Sequence, residues 1–282
     1  ANQGHYQADG GTRQGIYVMT ASGKLLSSVN SRDPKAVLAT IEKGLAAWGE
    51  TTEADRNLPS GFKMPRRRWE SSYPEDGLVL RSLNVDLGEG ADKARRNRDH
   101  VWFSKAEARG WLPPELEVGA THAVTQLITD RLTSYHLVDN IRGQTIPFAP
   151  IEAQGSKLET RITDLDGDVV SFEITGTTKA ETDGSWKLGK SDWTPTEKYP
   201  RTLEAQVLGF GDYNKATGRF ETLEFVALGT RTGRTNLNGR GKEDLGPAGI
   251  GFFFEIAPQR ASARVPPAFI DIYGADWIVD PR

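Results

Sequence analysis

The stretch Arg201–Gly229 reads RTLEAQVLGFGDYNKATGRFETLEFVALG. Two runs rich in β-forming residues flank the turn segment Tyr213–Gly218, and this pattern predicts a long antiparallel hairpin whose five-residue loop contains Gly218. An isolated hairpin is at best marginally stable in water, because it needs more strands and a covering layer to bury its apolar face. The sequence on both sides of the hairpin should therefore supply a sheet and a layer that covers it.

The other strands are marked by alternating apolar and polar residues. Residues 78–87 predict one strand, residues 158–163 and 170–175 predict two more, and the apolar run 250–256 predicts a central strand. This alternation gives the sheet a dry face and a wet face, which is typical of an antiparallel sheet with helices on one side. Residues 121–137 predict the covering helix. Its apolar stripe consists of Val124, Leu127, Ile128, Leu132 and Tyr135.

The region before this sheet predicts a smaller ββα portion. Two short strands at residues 16–20 and 24–29 are separated by a glycine turn, and Asp33 and Pro34 are the N-cap and first residue of a helix that Gly49 ends. The motifs TRQGIY, SGKLL and NSRDPKAVL resemble the C-terminal half of a thioredoxin-like fold, as in a group of uncharacterised exported bacterial proteins. The resemblance covers residues 12–49 and implies a fold. It implies no catalytic residue here, because that family's redox cysteine pair would lie upstream. An unrelated ββα unit is the alternative.

The predicted fold class is α+β, with an antiparallel β-sheet, a covering helix and a small thioredoxin-like ββα portion before them. We divide the chain into the ββα portion at residues 1–56, a linker at 57–77, the sheet domain at 78–257 and a Pro-rich tail at 258–282. The linker is charged and contains three prolines, so we expect it to lack regular structure.

Composition narrows the class of function. The formal net charge is −3, so no strong attraction to nucleic acid or anionic lipid is expected. No apolar run approaches the roughly 20 residues that cross a bilayer, so no membrane span is expected. The absence of cysteine excludes disulfides, thiolate metal sites and a cysteine nucleophile. Because the first residue is Ala1 and not Met, we expect an exported, cleaved protein that is periplasmic or extracellular.

A possible metal site lies at Asp164, Asp166 and Asp168, where carboxylates at alternate positions suggest a loop for calcium. The spacing departs from that of an EF-hand, and Asp166–Gly167 is also a preferred hairpin turn between two alternating strands. The hairpin is the favoured interpretation, with adventitious calcium as the alternative and no other cofactor. The four histidines show no zinc-site spacing. They are His5, His100, His122 and His136.

A candidate anion site lies in the Gly-rich segment after the hairpin. It consists of four cationic residues, Arg231, Arg234, Arg240 and Lys242. A mobile connection between the hairpin and the last strand is the other interpretation. Arg66 and Arg67, beside Trp69, could contact an anion or RNA, but the acidic net charge favours a solvated surface run.

Aromatic residues in the linker and tail predict a partner-binding surface. They are Trp69, Phe269, Tyr273 and Trp277. Neither a phosphate-binding loop nor a nucleophile elbow occurs, so no catalytic residue is assigned. We therefore predict a non-catalytic exported scaffold or protein-interaction subunit, which binds another protein subunit or self-assembles. The alternative is an enzyme or small-ligand-binding protein that uses the concave sheet face, with segment 231–242 as its mouth.

Overall fold

The computed structural model describes residues 15–63, 68–88, 91, 95–185 and 198–278. The chain divides into two compact units, residues 1–65 and residues 66–282. The fold is α+β with an antiparallel sheet, which confirms the predicted class. None of the helices in the described ranges combines the length and the hydrophobicity that crossing a bilayer needs.

The first unit is built from the predicted ββα order. Strands β1 (Ile16–Met19) and β2 (Leu25–Val29) pair antiparallel, and helix α1 (Pro34–Gly49) follows. The Asp33 side chain caps α1 by accepting a hydrogen bond from the backbone N–H of Lys35, as predicted. A short helix, α2 (Glu53–Arg56), ends the regular structure. The thioredoxin-like relationship of this unit stays a prediction.

Helix α1 packs on its two-stranded sheet through small residues. A Cβ atom added to Gly44 would lie 2.5 Å from Cγ1 of Val18 and 2.8 Å from Oγ of Ser27. The Ser27 hydroxyl donates a hydrogen bond of 2.7 Å to the backbone carbonyl of Thr40. Small side chains at this contact therefore let the helix backbone approach the strands closely.

The second unit contains an eight-stranded antiparallel sheet. In chain order its strands are β3 (Leu78–Asp86), β4 (Arg96–Phe103), β5 (Thr121–Ala123), β6 (Lys157–Asp166), β7 (Val169–Thr182), β8 (Arg201–Asn214), β9 (Arg219–Gly233) and β10 (Ala248–Ile256). Their spatial order is β4-β3-β10-β9-β8-β7-β6-β5. The predicted hairpin thus lies at the centre of the sheet, and strand β10 joins it to β3.

The central hairpin pairs from Arg201 opposite Gly233 to Asn214 opposite Arg219. Its loop has four residues, one fewer than predicted, and Gly218 adopts φ = +67°, a conformation that favours glycine. The β6–β7 hairpin turns where Asp166 pairs with Val169, as the favoured interpretation of that stretch predicts.

The covering helix is shorter than predicted. Residues 121–123 pair with β6 as strand β5, and helix α5 runs only over Gln126–Arg131 before a π-helical turn at Leu132–His136. The early helical start was therefore wrong, because the backbone of 121–124 is taken up by strand pairing. Ile128 is fully buried whereas Leu127 is 45% exposed, so Leu127 does not belong to the buried stripe.

The linker prediction needs correction, because the linker contains one helical turn, α3 (Arg68–Ser71). Residues 96–100 are polar but form the first half of strand β4, whose apolar part is 101–103. Helix α4 (Lys105–Ala108) has a capping box between Ser104 and Glu107.

The second unit has two hydrophobic clusters. The main core lies between one face of the sheet and the layer that contains α4 and α5. A second cluster lies at the β3–β4 end of the opposite face and includes Val79 and Trp102 from the strands. The tail supplies the remainder, with Ile270 and Tyr273 both buried. The tail is therefore part of the fold of this unit.

Candidate protein-interaction surface

The sheet face opposite the main core, which we call the open face, carries an apolar row at its centre. Leu83 on β3 pairs with Phe253 on β10, Phe253 pairs with Val226 on β9, and Val226 pairs with Leu208 on β8. Leu208 is 50% exposed. Polar residues are expected at such positions, because the outer face of a one-sided antiparallel sheet is in contact with water. Four neighbouring strands depart from that expectation in the same row.

More apolar residues adjoin this row. Phe210 is 54% exposed, and Leu228 is similarly accessible. Leu87 and Leu228 both approach Gly251, since a Cβ added there would lie 3.2 Å from Leu87 and 3.4 Å from Leu228. The open-face patch consists of Leu83, Val85, Leu87, Leu208, Phe210, Val226, Leu228 and Phe253. A contiguous exposed apolar patch of this kind is typical of an interaction site.

The central row ends in opposite charges. Beyond Leu83 it reaches Arg98 on β4, and beyond Leu208 it passes Thr175 on β7 to reach Glu159 on β6. Both charged residues are exposed. The row on the Val85 side of the central row ends instead in two cations, Arg96 and Lys157. The charges at the two ends of a row are therefore opposite in the central row and alike in this neighbouring row.

Helix α1 of the first unit presents another apolar surface. Its exposed large side chains follow heptad spacing and are Leu38, Ile41, Leu45 and Trp48. Among the described residues of this unit, the buried ones are small or polar, namely Thr20, Ser27, Thr40, Gly44 and Thr51. The amphipathic stripe that predicts the helix therefore lies on its surface, and the close packing described above uses the opposite side.

The four aromatic residues predicted to bind a partner instead pack on their own unit. Trp69 and Trp277 pack against the second cluster, and Phe269 packs against the main core. Tyr273 is buried and stacks on Tyr135 with ring centroids 5.8 Å apart. Tyr273 therefore belongs to the core of its own unit, whereas Trp69, Phe269 and Trp277 are only partly buried, and the partner-binding role of these residues stays a prediction.

A buried polar chain holds the tail in place. The Tyr273 hydroxyl lies 2.5 Å from Nε2 of His136, and Nδ1 of His136 lies 3.3 Å from an Asp99 carboxylate oxygen. The other Asp99 oxygen accepts a hydrogen bond from the backbone N–H of Ala268. Burial, followed by the charge of Asp99, raises the pKa of Tyr273 well above its usual value. His136 therefore serves a contact within the fold. His122 lies on strand β5, whereas His136 lies in the π-helical turn.

The predicted anion site is divided by the structure. Arg240 is buried and donates hydrogen bonds to both Asp86 and Asp139, at 2.6–2.9 Å. Burial acts to lower the pKa of Arg240, but these carboxylates outweigh it and raise the pKa. Arg231 donates to the backbone carbonyl of Asp244 and lies beside Asp139. The Arg240 guanidinium is therefore engaged within the fold by carboxylates, whereas Arg231 is engaged through Nη1.

Arg234 and Lys242 lie apart from that network of carboxylates. The Arg234 guanidinium packs over the ring of Tyr199, 5.4 Å from its centroid, and lines a cleft of about 540 Å³ with Lys198. Lys242 is exposed in a 3₁₀ turn. The four cations thus do not converge on one ligand. Arg66 and Arg67 lie outside the described residues.

The predicted calcium ligands Asp164, Asp166 and Asp168 lie along the exposed edge of the β6–β7 hairpin. Within the described ranges, no three His, Asp or Glu residues are grouped as a metal ion would require. Their alternation reflects the solvent-facing positions of a strand and its turn.

Comparison with known proteins gives limited similarity. No protein-family model and no solved structure matches the chain. The major vault protein of Pongo abelii is 27% identical over 159 residues, which are 55% of this chain and 16% of that protein. The human major vault protein is 28% identical over 135 residues, which are 47% of this chain and 13% of that protein. This chain therefore matches only a small part of these relatives, and no family is assigned.

The sequence contained a signal for the open-face patch that alternation alone did not reveal. On β8, Leu208 and Phe210 stand at positions that alternate with the buried Val207 and the glycines that follow it. The run VLGFG therefore carries large side chains on one face and glycines on the other. The strand neighbours Leu83 and Phe253 come from distant parts of the chain, so only the pairing assembles the patch.

Proposed function

We propose that this protein is a non-catalytic interaction subunit that self-associates through the open-face patch. The observation that carries the proposal is the apolar row from Leu83 to Leu208, in register across four strands, in which Leu83, Phe253 and Val226 are half-buried and Leu208 is exposed. Each square ångström of apolar surface removed from water contributes about 25 cal/mol. A face of this kind is therefore stabilised by contact with another protein surface.

The size of the open face suits a sheet-on-sheet contact. From Arg98 to Glu159 the central row spans six strand spacings, which is about 29 Å at about 4.8 Å per strand. Five to six residues along each strand add about 18 Å in the other direction. The projected area is thus roughly 500 Å², on the scale of the roughly 800 Å² of accessible surface that each partner uses in a standard interface. Two such faces pack about 10 Å apart in β-sandwiches.

The charges favour a second copy of this chain as the occupant. A two-fold axis parallel to the strands and close to Val226 superposes the apolar rows of two copies and reverses the order of their strands. Arg98 of one copy then lies on the side of Glu159 of the other, twice per dimer. The row on the Val85 side ends in Arg96 and Lys157, and the row on the Phe210 side holds charges of both signs, namely Arg81, Glu255, Glu224 and Glu173. The alignment is therefore proposed from the opposite ends of the central row. Opposite charges at an interface rim act mainly on specificity and association rate.

The similarity to the major vault protein covers 16% of that protein, so the proposal depends on the open face and not on that comparison. The ligand-binding alternative relied on four converging cations, but Arg240 is paired with Asp86 and Asp139 and Lys242 is exposed in a 3₁₀ turn. We therefore favour the interaction subunit over the ligand-binding protein.

Sedimentation equilibrium over a protein concentration series tests the proposal. We expect wild-type protein to form a dimer, and Phe210→Glu or Leu208→Glu to raise its dissociation constant at least tenfold, the effect of about 1.4 kcal/mol. Ile151→Glu is the control, because Ile151 is also an exposed apolar residue but lies outside the open face. A wild-type chain that stays monomeric at the highest concentration refutes self-association.

A charge exchange identifies the partner. Arg98→Glu and Glu159→Arg should each weaken the dimer, because each places like charges opposite one another. The double variant restores the opposite pairing in every dimer and should recover most of the lost affinity. If the single variants weaken association and the double variant does not recover it, the two-fold arrangement is wrong.

A further inference from the structure

Two buried arginines line one small cavity, and each has an N–H group without an acceptor among the described residues. They are Arg201, which is 7% exposed, and Arg231, which is 3% exposed. The unpaired groups are Nη1 of Arg201 and Nε of Arg231. A buried donor without a partner costs free energy, so such groups normally face an acceptor.

Arg201 has only neutral contacts. Its Nη2 donates to the backbone carbonyls of Ile146 and Pro147, at 3.0 and 2.9 Å, and its guanidinium lies 4.5 Å from the ring centroid of Phe148. Burial lowers the pKa of Arg201 to about 10, and the charge of Glu152 offsets only part of this. The Glu152 carboxylate itself caps the backbone N–H of Ala149. A positive charge is therefore buried here, and no carboxylate in the described ranges forms an ion pair with it.

The surrounding network does not supply the missing negative charge. It contains the guanidinium groups of Arg142, Arg201, Arg231 and Arg240, and the carboxylates of Asp86, Asp139 and Asp244. With Arg234, which also lines the cavity, and Glu152, whose charge acts on Arg201, five described cations face four anions, which leaves one positive charge uncompensated. Asp139 also lines the cavity, but its oxygens accept hydrogen bonds from Arg240 and Asn238. Its Oδ2 lies 3.8 Å from Arg231 Nε, beyond hydrogen-bond reach.

We propose that the cavity between Arg201 and Arg231 binds a single monoatomic anion of the chloride class. The cavity volume of about 10 Å³ is the space that about one small particle needs, and Arg201 also lines the neighbouring cleft of about 540 Å³. The bound anion accepts from Arg201 Nη1 and Arg231 Nε and neutralises the surplus charge. Because Arg201 belongs to β8 and Arg231 to β9, the anion stabilises the end of the central hairpin against the loop 145–148.

A heavier halide locates the site directly. Crystals of the full chain soaked in sodium bromide should show an anomalous difference peak within contact distance of Arg201 Nη1 and Arg231 Nε. The alternative occupant is a water molecule. A peak absent from this cavity, while bromide appears at surface sites in the same crystal, means that water fills the cavity and overturns the proposal.

Thermal melts provide the solution test. At constant ionic strength, replacing gluconate by chloride should raise the melting temperature along a saturable curve. At one hundred times the dissociation constant the folding equilibrium shifts about 100-fold, or about 5–10 °C for a domain of this size. Arg201→Met should lose the chloride-specific rise, while Arg219→Gln, an exposed arginine, should keep it. Equal melting in both salts contradicts the proposal.

The outcome is independent of self-association. The same melts performed on Phe210→Glu separate an effect of chloride on the cavity from an effect of salt on the dimer. If Arg201→Met does not fold, the bromide peak in wild-type crystals still decides the question.

Discussion

The Arg131 guanidinium holds the Glu107 carboxylate at two points, with Nη2 2.8 Å from Oε1 and Nη1 3.0 Å from Oε2. Glu107 also caps the first turn of α4, and its Oε2 accepts a hydrogen bond from the Trp277 indole at 2.9 Å. One carboxylate thus joins the covering layer, the helix α4 and the tail. The Arg131 side chain is 2% exposed, so this pair is shielded from solvent.

The stability of the second unit should depend on the ionisation of Glu107. Burial alone raises the pKa of Glu107, but the hydrogen bonds from Arg131 outweigh it and hold the pKa below its ordinary value of about 4.3. The stabilisation is therefore complete above the unfolded pKa and is lost as the pH falls through the folded pKa. Glu107→Gln should cost about 3–5 kcal/mol at pH 7 and flatten the acid limb of a urea-unfolding series. Glu115→Gln, which changes an exposed acid, should alter neither the free energy of unfolding at pH 7 nor its decrease at acid pH.

Two adjacent residues of α5 should differ sharply in their contribution to stability. Ile128→Ala removes a fully buried side chain from the main core and should destabilise the protein by about 2–5 kcal/mol. Leu127→Ala removes a side chain that is nearly half exposed and should cost less than about 1 kcal/mol. Guanidinium unfolding curves measure both. Equal losses at the two positions contradict the orientation of α5.

The close approach of α1 to its strands predicts a steric effect at Gly44. Gly44→Ala places a methyl group 2.5 Å from Val18, so the helix must move outward, at a cost of about 1–3 kcal/mol. Gly49→Ala is the matched control, because no atom lies within 4 Å of the added Cβ. Hydrogen exchange of the α1 backbone amides reports on this unit alone. Unchanged protection in Gly44→Ala shows that the helix does not pack as described.

The tail should resist proteolysis only while Tyr273 is in place. Tyr273→Ala removes the ring stacked on Tyr135 and the hydroxyl beside His136, so residues 258–278 should become sensitive to trypsin. Val265→Ala changes an exposed tail residue and should keep wild-type resistance. Peptide mapping after brief digestion locates the cuts. A tail cleaved at the same rate in wild type and Tyr273→Ala would show that it is not anchored there.

Much of the local structure could be predicted from sequence, because its causes are local. Gly218 and the Asp166–Gly167 pair specify turns, and Asp33 and Ser104 cap helices, through interactions within a few residues. The alternating runs on both sides predict strands for the same reason. The exported location and the thioredoxin-like resemblance stay predictions.

The sequence was misleading where a residue's contacts come from distant parts of the chain. Residues 121–123 read as the start of a helix, but the exposed edge of β6 offered backbone hydrogen bonds that favour an extended strand. The tail aromatics read as exposed anchors, because nothing near them in sequence shows that Val79 and Trp102 leave space for Tyr273. Tertiary contacts overrode the local pattern in both places.

The sequence by itself determined an antiparallel α+β protein built on a central hairpin, since turn residues and period-two alternation act over a few residues. Only the tertiary structure decided which surfaces are available to a partner. The open-face patch needs Leu83, Phe253, Val226 and Leu208 to meet from three separate parts of the chain, and strand order and register alone bring them together. The same pairing buries Arg201 beside Arg231, so the surplus charge arises from the sheet and not from either residue's neighbours in sequence.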